Sequence, residues 1–126
     1  MSSLYFFNMA ICYAVLYHLW FHQTIEEHNI VRHSYGLTIL EIDDELMREA
    51  SKHASWMATN ETLQHSHITN GAENIAQANV SPKNMVKMWM RSPGHRRNIL
   101  NPRYTRIGTA VYKSKGGRYY WCARFR

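Results

Sequence analysis

Beyond Glu73 the chain has no aspartate or glutamate at all. All nine acidic residues lie at or before that position, whereas twelve of the fifteen lysines and arginines lie at or after Lys83. The net charge of +6 therefore hides a basic C-terminal part without one carboxylate side chain. Such a surface either attracts an anionic cell-envelope polymer or lipid, or is simply well solvated. Nucleic acid is not expected, because neither a Cys/His finger nor an aromatic-basic RNA-binding signature accompanies the charge. Cysteine is scarce as well. Cys12 and Cys122 do not make a disulfide framework, and Cys12 lies in an apolar run, so the two are not expected to pair. A domain of about 100 residues can bury a core without a metal or disulfide staple.

Charge is also missing from Leu4 to Phe21, where no Asp, Glu, Lys or Arg occurs. That length is at the lower edge of a membrane-spanning helix. A cleavable signal would have Lys or Arg before the apolar run and a small-x-small site after it. Neither is present: Trp20-Phe21-His22-Gln23 follows instead. Tyr17, Trp20 and His22 would suit a membrane interface. The expectation is an apolar leader over residues 1–23, acting as signal peptide or membrane anchor, with a domain over residues 24–126 outside the cytoplasm. An apolar first helix packed on that domain is the alternative.

Within the domain, Thr24 to Tyr35 reads as a short helix stopped by Gly36. Leu37 to Leu40 reads as an apolar link. Asp43 or Asp44 can cap a second helix to about Thr59, with Leu46, Ala50, Ala54 and Met57 as its apolar stripe. Asn60 to Gly71 has no periodicity and is expected to be a loop. Ser81-Pro82 starts a further helix, whose Met85, Val86, Met88 and Trp89 are expected inward until Ser92-Pro93-Gly94 interrupts it. Ile107–Tyr112 and Arg118–Phe125 flank Lys113 to Gly117 as a hairpin. In its second strand Tyr119, Trp121, Ala123 and Phe125 share one face, and Tyr120, Arg124 and Arg126 the other. Helices followed by a terminal hairpin indicate an α+β layered domain.

Function is concentrated in two short stretches, Gly71-Ala72-Glu73-Asn74-Ile75 and Ser92-Pro93-Gly94-His95. A histidine directly after Pro-Gly is held at a turn rather than on a packed face. With Glu73, and with His65 and His67 upstream, it could line one polar cleft. Two neutral imidazoles and one carboxylate suit Zn²⁺ or another divalent cation, with a position left for water. The bland alternative is a hydrogen-bonded structural cleft in which Glu73 accepts backbone N–H groups. His28 and His33 are read as packing or surface groups.

The ordered series His28-Asn29 with Arg32, Leu63-Gln64-His65-Ser66, Gly71 to Ala76, Met88-Trp89-Met90, Ser92-Pro93-Gly94-His95-Arg96-Arg97-Asn98-Ile99-Leu100-Asn101-Pro102, Ile107-Gly108 and Tyr120-Trp121 resembles the CAP superfamily. This superfamily comprises the cysteine-rich secretory proteins, antigen 5 and pathogenesis-related proteins, and its shared unit is the SCP domain. The resemblance covers about residues 25–125 and is similar to the cysteine-poor bacterial branch. It implies a three-layer α-β-α sandwich with a central antiparallel sheet, and a cleft lined by two His and two Glu. Residue by residue, His65 is the first histidine, Glu73 the first glutamate and His95 the second histidine. The spacing Leu63-x-His65-Ser66 selects His65 over His67. The second glutamate should stand three residues after Trp89, where this chain has Ser92. The resemblance therefore implies metal ligands at His65 and His95, with Glu73 as the one carboxylate able to activate water. Two functions follow: a non-enzymatic extracellular binding module, or a metal-dependent hydrolase or peptidase using Glu73 as general base. The missing carboxylate favours the first.

Overall fold

No glycine or proline occurs before Gly36, so nothing in that stretch forces a helix to end. In the computed structural model, which describes the backbone from Ser2 and the side chains of Leu16 and of His18 onward, a single helix α1 runs from Ser2 to Ser34. The sequence suggests a short helix beginning at Thr24 because composition changes there, yet the backbone passes through that point without a break. Most of the apolar run 4–21 lies outside the described side chains, as does Cys12. Among the described residues no helix is long and apolar enough to cross a membrane. Trp20 stacks on Trp121 with ring centroids 5.5 Å apart and planes 13° apart, so the helix already grips the domain before Thr24.

After Gly36, whose φ of 69° is costly for residues with a side chain, the chain forms β1 (Glu41–Ile42) and α2 (Asp44–Asn60). Asp43 is the N-cap of α2, accepting a hydrogen bond from the Leu46 N–H at 3.0 Å. Then come β2 (Ala72–Gln77), α3 (Pro82–Arg91), α4 (Pro93–Ile99), β3 (Arg106–Lys113) and β4 (Tyr119–Phe125). Ser81 caps α3 with Pro82 in its first turn, as the sequence dictates.

The sheet order is β1-β3-β4-β2. β3, β4 and β2 are antiparallel, whereas β1 pairs parallel to β3, so the sheet is mixed rather than purely antiparallel. β1 and β2 were not evident as strands. Ala72–Gln77 has one β-branched residue and no aromatic, and its extended form is imposed by pairing with β4.

Alternation in β3 and β4 sorts the core into two layers. Ile107, Val111, Trp121, Ala123 and Phe125 pack with Ile25 of α1, Met85, Val86 and Trp89 of α3 and Ile99 of α4. Ala110, Tyr120 and Cys122 pack on the other side with Ala50, Ala54, Met57 and Ala58 of α2. The expected α-β-α sandwich is what forms. Gly108 lets α2 approach closely, since a Cβ there would collide with the Leu46 and Met47 backbone. One inward assignment fails: Met88 is 45% exposed, because the buried stripe of α3 is Pro82, Met85, Val86 and Trp89, and position 88 falls beside it.

His28 lies fully buried between Trp89 and Phe125, with Nδ1 2.7 Å from the Thr24 carbonyl and Nε2 unpartnered. Burial pushes its pKa down to about 4, with the Arg32 charge adding to the effect and the Thr24 bond opposing it. The unfolded chain, with an ordinary value of 6.5, takes up a proton that the native state refuses until the pH nears 4. Stability therefore falls as pH drops through that window, and this group adds no further loss below it. The expected loss is about 2 kcal/mol between roughly pH 7 and pH 5. Denaturant titrations of the wild type and of His28→Leu should show it, the variant losing much less over the same interval.

Candidate functional site

β2 is an edge strand, so residues on its two faces reach around the border of the sheet. Glu73 points to the α2 side and stands opposite Arg124 in the β2–β4 register. Its side chain is only 2% exposed, and four N–H and O–H donors surround it. His65 Nδ1 lies 2.7 Å and the Ser66 N–H 3.0 Å from Oε1. The Ser66 hydroxyl donates to Oε2 at 2.6 Å, and Arg124 Nε is 2.9 Å from the same oxygen, an ion pair too bent for a straight hydrogen bond. Burial raises the Glu73 pKa, but the bonds from Ser66 and His65 and the Arg124 charge outweigh it, and the net shift is downward. The carboxylate is ionised and its lone pairs are occupied.

Asn74, the next residue, points to the opposite face. Its Nδ2 donates to the His95 carbonyl at 3.1 Å, and its Oδ1 accepts from Asn98 Nδ2 at 2.8 Å. Two consecutive residues of one edge strand thus hold the two histidine segments, Glu73 the loop at His65 and Asn74 the helix α4 at His95. The histidines are near enough that charge on His65 adds to burial in lowering the His95 pKa.

Ser92 occupies the place expected for the second carboxylate. Its Oγ lies 2.9 Å from His95 Nδ1, so a hydroxyl does for His95 what Glu73 does for His65. Each imidazole has Nδ1 engaged, and among the described residues neither Nε2 contacts another polar group of the protein. The Glu73 carboxylate can only accept, which sets the hydrogen of His65 on Nδ1 and leaves Nε2 as donor atom, as in metal-ligating histidines. The Ser92 hydroxyl holds the His95 ring in place and can serve either tautomer. A divalent cation fits the chemistry of these two nitrogens. Among the described residues no three His, Cys, Asp or Glu side chains converge as ligands, so the remaining positions would fall to water or to a bound ligand.

His65 is 60% exposed, whereas Glu73 lies beneath it. His67 lines the same cleft as His65 but makes no contact with Glu73. His33 is exposed on α1, and His28 is the packing group expected. Ser66 and Arg124 were not legible as site residues. Alternation in β4 placed Arg124 off the core face, but only the strand register sets it against Glu73. Cys122 is a free, buried thiol whose pKa burial pushes up, and its Sγ makes a weak contact with Glu73 Oε2 at 3.9 Å.

Uncharacterized protein YkwD of Bacillus subtilis is 33% identical over 108 residues, covering 73% of this chain and 42% of that protein. This chain thus spans less than half the length of the curated relatives it matches. An extracellular SCP-domain protein from Bacillus anthracis superposes with a TM-score of 0.73 at 24% identity, covering 84% of this chain and 40% of that one. The structure of NaASP2 with Zn²⁺ superposes with a TM-score of 0.67 at 14% identity, covering 82% and 77%. Both superpositions establish a common fold. The model of the cysteine-rich secretory protein family, CAP, matches residues 25–125, and this chain belongs to that family.

Proposed function

We propose that this chain is a secreted or surface-attached binding module whose cleft holds a divalent metal ion through His65 and His95. One observation carries the reading: both imidazoles are fixed through Nδ1, while the neighbouring carboxylate has no acceptor position to spare. A general base must accept a proton from water. Glu73 is buried and surrounded by N–H and O–H donors, so its role here is to position His65 by accepting from Nδ1, with Nε2 turned away from the carboxylate. The missing carboxylate at Ser92 removes the other candidate. A hydrolase using Glu73-activated water is therefore the weaker reading.

The NaASP2 structure, described as the protein with Zn²⁺, supports a metal in this fold. The extracellular relative from Bacillus anthracis supports export. The uncharged run 4–21 would act as signal or anchor. Exposed Lys83, Lys87 and Arg91, four residues apart on α3, offer a cationic row to an anionic envelope polymer or lipid.

Calorimetric titration with Zn²⁺ tests the metal reading. Uptake by the wild type should weaken at least tenfold, about 1.4 kcal/mol, in His65→Ala and in His95→Ala. Wild-type protein that takes up no Zn²⁺ would end it. The lowered His95 pKa keeps that ring neutral into mildly acidic solution, so affinity should decline at a lower pH than for ordinary imidazoles.

A further inference from the structure

Beside the two-histidine site lies a cleft of about 520 Å³ between α2 and the loop that carries His65. It opens on the α2 side of the sheet, and His95 is not among its lining residues. Trp56 stands in its wall, 44% exposed. An indole that open is unusual in a domain that buries Trp89 and Trp121 almost completely. Its position is fixed from behind. His53, buried beneath it, stacks on the ring with centroids 5.8 Å apart and planes 9° apart. The same His53 places Nε2 2.7 Å from the Gln64 carbonyl, tying the opposite wall to α2. The cleft is thus pre-formed, with one flat aromatic surface facing solvent.

Its polar lining has unspent hydrogen-bonding capacity. Among the described residues, the side chains of Lys52, Gln64, His67, Thr69 and Asn70 make no hydrogen bond or ion pair within the protein. Two are amides and one a hydroxyl, each able to donate and accept. On the floor, Arg124 and Arg126 share Glu49 at 3.4 Å. Arg124 also pairs with Glu73 and Arg126 with Glu45, which among the described residues leaves Lys52 as the lining cation without a carboxylate partner. An exposed aromatic plate, amides and a hydroxyl with both hydrogen-bonding senses, and one unpaired lysine define a particular ligand. It has a flat C–H face, many hydroxyl or acetamido groups, and negative charge.

The geometry points to an acidic amino-sugar polysaccharide as the occupant. One sugar ring would lie on Trp56, Gln64 and Asn70 would bond its hydroxyl and acetamido groups, and Lys52 would meet its carboxylate. Burial of an aromatic face supplies affinity, and the amides supply orientation. This assignment rests on the reading of the chain as a binding module and gives that module a ligand class. It does not require the metal, because Trp56, Lys52, Gln64 and Asn70 make no contact with Glu73 or His95, although His65 and Arg124 also line the cleft.

Titration of the full chain with peptide-free peptidoglycan glycan strands, chitotetraose and poly(glycerol phosphate), in EDTA and again with Zn²⁺, tests it. Trp56 fluorescence and calorimetry would report binding. The wild type should bind the acidic strands in EDTA and bind uncharged chitotetraose more weakly. Trp56→Ala should weaken both at least tenfold while its melting temperature stays close to that of the wild type. Lys52→Gln should weaken the acidic strands several-fold and leave chitotetraose unchanged. Wild-type protein that binds neither glycan overturns the proposal. So does Trp56→Ala binding as the wild type does, or poly(glycerol phosphate) binding as tightly as the strands and indifferently to Trp56. Loss of Zn²⁺ uptake in His95→Ala is read separately, so failure of the glycan subsite and failure of the metal site are distinguishable.

Discussion

Replacing Arg32 with alanine should destabilise the domain by about 4 kcal/mol or more, enough to lower its melting temperature by roughly 20 °C. The guanidinium is completely buried, yet no carboxylate pairs with it. Its donors go to four backbone carbonyls instead. Nε reaches Thr38 at 2.9 Å, Nη1 reaches Ile99 and Asn101 at 2.9 Å each, and Nη2 reaches Tyr104 at 3.2 Å. One side chain thus closes the end of α1 onto the segment leaving α4. Alanine strands those acceptors, each costing about 1–3 kcal/mol where water cannot replace the donor. Arg32→Lys should recover little, because an ammonium is a point donor and cannot span carbonyls on two separate segments. Thermal melts of the wild type and both variants decide it. If Arg32→Lys melts with the wild type, the fork geometry is not what matters.

The same motif shows how much of the molecule was legible beforehand. His28, Asn29 and Arg32 could be recognised as a pattern at helical spacing, but their purpose could not. Asn29 donates from Nδ2 to the Leu40 carbonyl at 3.0 Å and accepts from the Leu40 N–H at 2.7 Å, aligning the segment that leads into β1. All three residues build the fold: Asn29 and Arg32 through distant or irregular backbone, and His28 through the Trp89 and Phe125 rings, none of which periodicity reveals. Helices α2 and α3 were legible because cap and apolar stripe agree in each. The terminal hairpin was legible because its alternation is regular. β2 was not, since its small and polar residues are extended only because β4 pairs with them. At the candidate site, Pro-Gly before His95 and the ordered resemblance pointed to both histidines and Glu73. The sequence also showed that Ser92 replaces a carboxylate. It could not show that the Ser92 hydroxyl bonds His95, nor that Glu73 is enclosed by donors. Arg124 enters that enclosure only through strand register, a long-range property. Trp56 was not singled out from the sequence, and its exposure depends on where the facing loop runs.

Glu73→Gln should be the most damaging substitution at the site, costing about 3–5 kcal/mol of stability. The glutamine keeps the shape but removes the charge beside the Arg124 guanidinium. Its amide group would also direct hydrogens at donors from Ser66 or Arg124, where the carboxylate accepts. Breaking a buried pair by one partner leaves the other charge uncompensated, so Glu73→Leu with Arg124→Met should be less destabilised than Glu73→Leu alone. Because hydrogen bonds and the Arg124 charge outweigh burial and hold the Glu73 pKa below its ordinary 4.5, the pair's stabilisation is present above that value. It is lost as pH falls further through the folded-state value. Acid should therefore act in two stages, first through His28 and then through Glu73, and Glu73→Gln should abolish only the second. The functional effect follows from the same bond. In Glu73→Leu, which leaves no acceptor at His65 Nδ1, the imidazole loses its fixed tautomer, and Zn²⁺ affinity should drop about 10- to 100-fold. Calorimetry below the variant's melting temperature measures that loss. An unchanged affinity would mean that Glu73 serves the fold alone, and that His65 is oriented by something other than its 2.7 Å contact with the carboxylate.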